Sequence, residues 1–185
     1  MKKIPTLFIR DSKTHQVVDK LAVALPPNAI ATRKWDGTAA MVLDGVLYQR
    51  YTLRTKKRKL STRNPGGDSG LPADFIPTGD PDGTKQPGWR PVPSAAAYSF
   101  DAPIPRDNGT YELIGPKVQG NAERRKSHAF MRHGAELVKG VIANFNYLAE
   151  YLSEAPIEGI VWWANGEPVA KIKRRDFGFQ WPLAE

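Results

Sequence analysis

The sequence contains no cysteine among its 185 residues. That absence excludes disulfides, thiolate nucleophiles and every cysteine-based zinc or iron–sulfur site. Long apolar runs are also missing. The basic N-terminus "MKKIPTLFIRDSKTHQ" has an apolar stretch of about four residues, against roughly seven or more in a signal-peptide core. No run elsewhere approaches a membrane span. A chain of this length buries a sizeable core without covalent staples, so one soluble, cytoplasmic domain over 1–185 is expected, with a monomer favoured.

What is present is positive charge. Lys and Arg number 27 against 19 Asp and Glu, a formal net charge of +8. Clustered cations gain affinity for polyanions by releasing counterions, although a dispersed basic surface also serves solubility. Distribution separates the two. Basic residues gather in "RTKKRKLSTR" (54–63), in "AKIKRR" (170–175) and more loosely in "NAERRKSH" (121–128). Candidate nucleic-acid contacts are Arg54, Lys56, Lys57, Arg58 and Lys59 in the first cluster and Arg174 and Arg175 in the second.

Turn chemistry and periodicity outline an α+β fold. Asp44-Gly45 joins two β-rich runs in "TAAMVLDGVLYQRYTLR", and Asn165-Gly166 joins "IEGIVWWA" to "EPVAKIKR". Both dipeptides suit type I′ hairpins because each position tolerates positive φ. "TYELIG" reads as a further strand. Val141, Phe145, Leu148 and Leu152 recur at helical spacing and predict a helix that stops before Pro156. Antiparallel sheets with flanking helices follow. The stretch from about 61 to 105 is dense in Pro and Gly, shows no period, and predicts a surface excursion anchored by Trp89 and Phe100.

Four short motifs then occur in order: Lys34-Trp35-Asp36-Gly37, Glu112 on a strand, Glu158-Gly159 opening a strand, and Lys171-Ile172-Lys173 on its hairpin partner. Each alone reads as solvated strand or turn residues. Together they resemble the covalent nucleotidyltransferases, the superfamily of RNA ligases, DNA ligases and mRNA capping enzymes, whose ordered motifs are K-x-D-G, a glutamate strand, E-G-x-V and K-x-K. "YELIGPKVQGN" is most similar to the glutamate motif of RNA ligases. The resemblance runs from about residue 30 to 175.

It implies an ATP-grasp-like nucleotidyltransferase fold, a lysyl-AMP intermediate on Lys34, and RNA with 5′-phosphate and 3′-OH ends as partner. ATP and Mg2+ (or Mn2+) are the implied cofactors. An amine that attacks phosphorus must be neutral, and Lys171 and Lys173, on one strand face, supply nearby positive charge. The resemblance assigns Glu112 to the ribose, Glu158 to the metal, and Arg50 to the ribose or phosphates, with Arg54 as the alternative. Thr32, Arg33, Asp36 and Gly37 fall with Lys34 in the nucleotide site. Phe130 or His128 is the candidate adenine-stacking residue. His128 and His133 stand five residues apart, a poor spacing for a metal pair on one helix face, so packing or RNA contact is expected. Trp162 and Trp163 alternate in direction, one toward the core and one toward the nucleotide.

Two positions depart from the family pattern. Thr32 stands where many ligases carry a base-reading glutamate, and Ala39 replaces the arginine of K-x-D-G-x-R. From the short stretch after Lys173 no appended OB-fold is expected, an expectation that weighs against capping and a complete DNA ligase. A DNA ligase-like or other adenylyltransferase, or a non-catalytic nucleic-acid-binding relative, are the alternatives. Charge reversal of Lys56, Lys57 and Arg58 to Glu is expected to spare self-adenylylation but impair sealing, with a flattened salt dependence. Unchanged sealing across a salt series would make the run a solvated surface.

Overall fold

The computed structural model describes residues 3–54 and 71–183. Lys56, Lys57, Arg58 and Lys59 therefore lie outside the described residues. A small hairpin of β1 (Phe8–Arg10) and β2 (Val17–Leu21) opens the fold. It is followed by β3 (Ile30–Lys34), β4 (Thr38–Leu43), β5 (Val46–Arg54), β6 (Ile76–Pro77), β7 (Lys85–Pro91), α1 (Ala95–Ser99), β8 (Gly109–Ile114), β9 (Ala129–Arg132), α2 (Phe145–Glu154), β10 (Gly159–Ala164) and β11 (Glu167–Lys173). Six strands form one antiparallel sheet in the order β6-β7-β5-β4-β8-β9, and three form another in the order β11-β10-β3. The architecture is α+β, dominated by antiparallel sheet. Among the described residues no helix is long and apolar enough to cross a membrane.

Both I′ dipeptides adopt the backbone their sequences require. Asp44 and Gly45 have φ of 50° and 77°, and Asn165 and Gly166 have 51° and 78°, so β4 closes on β5 and β10 on β11 without a register break at the turns. Helix α2 starts where Asn144 accepts a hydrogen bond from the Tyr147 N–H (3.1 Å), a side-chain N-cap. It ends at Glu154, ahead of Pro156. Val141, counted in the helical period, lies before the helix but still packs on the same core.

Each sheet buries one face. Leu148 and Leu152 of α2 lie against Ile160, Trp162, Ala170 and Ile172 on the back of the three-stranded sheet, with Leu7 and Phe8. Ala40, Val42, Leu47 and Tyr111 form the back of the larger sheet, where Phe130 and Tyr98 pack. Strand alternation then sends the intervening residues to the front faces.

The stretch 71–105 is more than an excursion. Strand β7 pairs with β5 over seven residues, from Tyr48↔Pro91 to Arg54↔Lys85, and Trp89 is 1% exposed. Its prolines hid it, because proline is expected at sheet edges. β7 is half an edge, since β6 covers only Gly88 and Trp89. Phe100, expected as an anchor, is exposed and instead stacks on His128 (4.4 Å).

Arg174 is corrected from nucleic-acid contact to internal tie. It is 4% exposed, and its guanidinium donates to the carbonyls of Leu152, Ala155 (2.8 Å), Ser153 (3.2 Å) and Gln180 (3.0 Å). The last carbonyls of a helix lack intrahelical partners, and a cation there also favours the helix dipole. Arg175 remains exposed while donating to the Trp181 carbonyl (2.7 Å). Arg174→Ala should lower stability by about 3 kcal/mol, the scale of a lost charged hydrogen-bond set, read as a shift in urea midpoint. Nucleic-acid affinity per folded molecule should not change.

Candidate active site

The site is built on register. β10 pairs antiparallel with both β3 and β11, so Lys34, Gly159 and Lys173 form one cross-strand row, and Thr32, Val161 and Lys171 the next. Directly opposed residues of antiparallel strands share a face, which brings the three lysines to the front of one sheet. Gly159 is required at the centre of its row: a Cβ there would sit 2.1 Å from the Ile172 carbonyl oxygen. An N-terminal segment flanks β11 as well. Leu7 N–H donates to the Lys171 carbonyl (2.8 Å), and Lys171 N–H donates to the Pro5 carbonyl (2.9 Å).

Glu158 lies at the foot of this array. Its carboxylate accepts from the Lys34 amine, and Lys173 Nζ is 4.0 Å from its other oxygen. Burial pushes the Glu158 carboxyl up from the ordinary glutamate range, against the pull of Lys34. Burial pushes the Lys171 ammonium down, and the charges of Lys34 and Lys173 push it the same way. Behind β11, Asp176 accepts from the Lys173 N–H (2.8 Å) and pairs with Arg10.

Facing the lysines, the larger sheet contributes Glu112, Arg50 and Trp89. One cleft of about 240 Å³ is lined by Lys34, Arg50, Glu112 and Lys171, together with Trp35, Trp89, His133 and Trp163. Glu112 is held from both sides: Gly37 N–H donates to one oxygen (3.1 Å) and His133 Nε2 to the other (2.9 Å). Gly37 is needed for that approach, because a Cβ would meet the Leu113 carbonyl at 2.2 Å. Arg50 donates to Thr78 Oγ1 (2.6 Å) and lies 5.3 Å from the Trp89 ring.

The loop carrying the first motif has its own clamp. Glu123 accepts from the Asp36 N–H (2.8 Å) and from Arg33 (2.6 Å), Arg33 lies 3.8 Å over the Trp35 ring, and Trp181 Nε1 donates to Asp36 (2.9 Å). Burial pushes the Glu123 carboxyl up, with the Asp36 N–H and Arg33 opposing it. Asp36 and Arg33 thus brace the loop. Glu123, Trp181 and His133 were not foreseen as members of the site. An acid inside the basic run "NAERRKSH" was a signal for Glu123, but nothing local marks Trp181.

Two assignments are corrected. Phe130 stands opposite Leu113, on the packed side of the sheet, and meets Tyr111 edge to face (6.3 Å). Met131, opposite Glu112, has the cleft side. Phe130 therefore cannot stack on a base in the cleft. Thr32, expected in the nucleotide site, is fully buried and its hydroxyl donates to the Val161 carbonyl (3.0 Å), so its side chain is engaged within the sheet. His128 is also internal: the Lys117 N–H donates to its Nε2 (3.3 Å), so Nδ1 carries the proton it gives to Asp101. Of the tryptophan pair, Trp162 enters the core and Trp163 lines the cleft. Arg54 stands on the cleft side of β5, farther along than Arg50.

Residues 104–185 match the sequence family described as RNA ligase 1. The C-terminal segment is RNA-ligase-like. A zebrafish (Danio rerio) protein named RNA ligase 1 is 31% identical over 85 residues, covering 41% of this chain and 26% of the relative. The chain thus matches about a quarter of the length of that relative. The family match takes in Glu112, Glu158, Lys171 and Lys173, whereas Lys34 and Arg50 precede it; strand pairing joins the two sets.

The raised Glu158 carboxyl yields a stability test. A carboxyl raised by folding stabilises the protein at pH below its unfolded value and loses that contribution as pH rises through the folded value. At pH 7 the buried charge is therefore a cost, and Glu158→Gln should match or exceed wild type in Tm. Acidification should narrow the gap by favouring wild type. A clearly lower Tm for the variant at pH 7 would contradict this.

Proposed function

We propose that the chain is an ATP-dependent nucleotidyltransferase domain of an RNA ligase, with the ATP-grasp-like fold of that superfamily. The observation that carries it is the convergence of Lys34, Lys171 and Lys173 on one sheet face, with Glu158 between Lys34 and Lys173 and with Lys34 and Lys171 lining the cleft, supported by the RNA-ligase-like segment.

In the first step the Lys34 Nζ lone pair attacks the α-phosphorus of ATP. A P–N bond forms, the bond to the β-phosphate bridging oxygen breaks, and pyrophosphate leaves. Glu158, bonded to that amine, takes its proton. Lys171 and Lys173 balance charge on the α-phosphate and leaving group, where preorganised cations act most strongly. AMP then passes from Lys34 to an RNA 5′-phosphate, and a 3′-hydroxyl displaces AMP to form the phosphodiester. Glu112, held by Gly37 and His133, orients the ribose, and Arg50 contacts the phosphates.

Among the described residues no three acids or histidines form a metal cluster. The donor set still fits magnesium, which commonly takes one or two carboxylates and fills its shell with water and substrate phosphates. Glu158 is that carboxylate. Bound Mg2+ or Mn2+ would supply neutralisation of phosphate charge.

Incubation with α-labelled ATP and magnesium tests the reading. Covalent label is expected on wild type and absent from Lys34→Ala. Lys171→Ala and Lys173→Ala should each label at least roughly a hundredfold more slowly, the scale of a lost transition-state donor. Label that persists in Lys34→Ala would remove that lysine from the chemistry. Nicked RNA, single-stranded RNA and nicked DNA, each with 5′-phosphate ends, separate RNA sealing from a DNA ligase-like activity.

A further inference from the structure

Strands β5 and β7 extend beyond the cleft, and their front faces stay basic. On β5 the residues that share Arg50's side are Thr52 and Arg54; opposite them on β7 are Pro87 and Lys85. Arg54 and Lys85 are directly paired across the strands. Both are exposed. Like charges in that position destabilise a sheet, and among the described residues neither side chain has an acidic partner. Arg50, two pleats back, already lines the cleft. At about 3.4 Å per residue, the distance from Arg50 to the Arg54–Lys85 pair is about 14 Å.

The opposite face of the same ribbon differs. There Arg90 lies 4.0 Å over the Tyr51 ring, so its charge has a neighbour. A cation pair with no acidic partner among the described residues, on the strand face that continues from the cleft, is a surface that an extended polyanion completes.

We propose that Arg54 and Lys85 bind the sugar–phosphate backbone of the RNA strand whose end enters the cleft, and that this strand runs along the front of β5 and β7. The proposal rests on the RNA-ligase reading for the identity of the polyanion. Single-stranded RNA fits better than a folded acidic protein because Arg50 and Arg54 lie along one face of a single strand, with Lys85 beside the second. Contacts of this kind position the strand without reading its sequence.

The test uses the full chain and a 5′-phosphorylated single-stranded RNA of mixed sequence, with affinity measured across a salt series. For single strands each phosphate neutralised contributes about 0.7 to the slope of log K against log salt. Arg54→Ala with Lys85→Ala should therefore flatten the slope by about 1.4 and weaken binding at low salt. Arg90→Ala, on the other face, should leave the slope close to wild type. Arg54→Gln with Lys85→Gln, which keeps most of each stem, should behave as the alanine pair.

An unchanged slope in the double variants overturns the proposal, as does an equal loss in Arg90→Ala. Displacement of the RNA by polyglutamate at matched charge would overturn it in favour of an acidic polypeptide. Covalent labelling by ATP is measured in parallel on wild type. Its absence would end the ligase reading, while the slope comparison would still decide whether this ribbon binds RNA.

Discussion

Everything in the cleft depends on the register of β3, β10 and β11. Side chains alternate with a period of two, so a slip by one residue would send Lys34, Lys171 and Lys173 to the face packed against Leu148 and Leu152 and bring Ile172 to the water. The register is therefore held by the full burial of Ile160, Ala170 and Ile172. It is held again at the C-terminal part of β11: the N-terminal segment bonds the backbone of Lys171, and Asp176 bonds that of Lys173. Arg174, one residue on, ties the strand's exit to the end of α2. Helix and site are coupled through a buried cation that never reaches the cleft.

The parts legible in the sequence are those whose cause is local. The two I′ dipeptides carry positive φ in their own residues, and the period of Phe145, Leu148 and Leu152 is visible within three turns. The motif lysines are legible for a related reason, since Lys171 and Lys173 keep the same parity wherever β11 runs. Residues whose role depends on another strand were not legible. Phe130 and Met131 are adjacent, and only the pairing of β9 with β8 decides which of them faces the cleft. Arg174 looks like a continuation of a basic run until α2 is set beside it. Strand β7 was obscured by Pro87 and Pro91, whose missing N–H groups argue against a strand unless an edge is free.

The loop between β3 and β4 shows how the nucleophile candidate is kept still. Lys34 is the last residue of its strand, and the next three residues would be free to swing. Instead Asp36 is bonded through its N–H to Glu123 and through its carboxylate to Trp181, while Gly37 is bonded to Glu112. Three separate segments therefore converge on two consecutive residues. Positioning of that kind reduces the reorganisation needed when a reacting group must meet phosphorus in line.

The charge balance of the cleft is uneven in the same direction throughout. Lys34, Lys171 and Arg50 line it and Lys173 shares their sheet face, while Glu112 is the acid of its lining and is already engaged by Gly37 and His133. Partial burial makes each uncompensated cation costly, and Lys171 registers that cost as a depressed ammonium. A polyphosphate entering the cleft would relieve the repulsion that the free protein carries. The same electrostatic excess would favour an anionic ligand over the free site. The sheet accommodates the repulsion because its opposite face is packed around α2 by Ile160, Ala170 and Ile172, so apolar packing and charge lie on the two sides of three short strands.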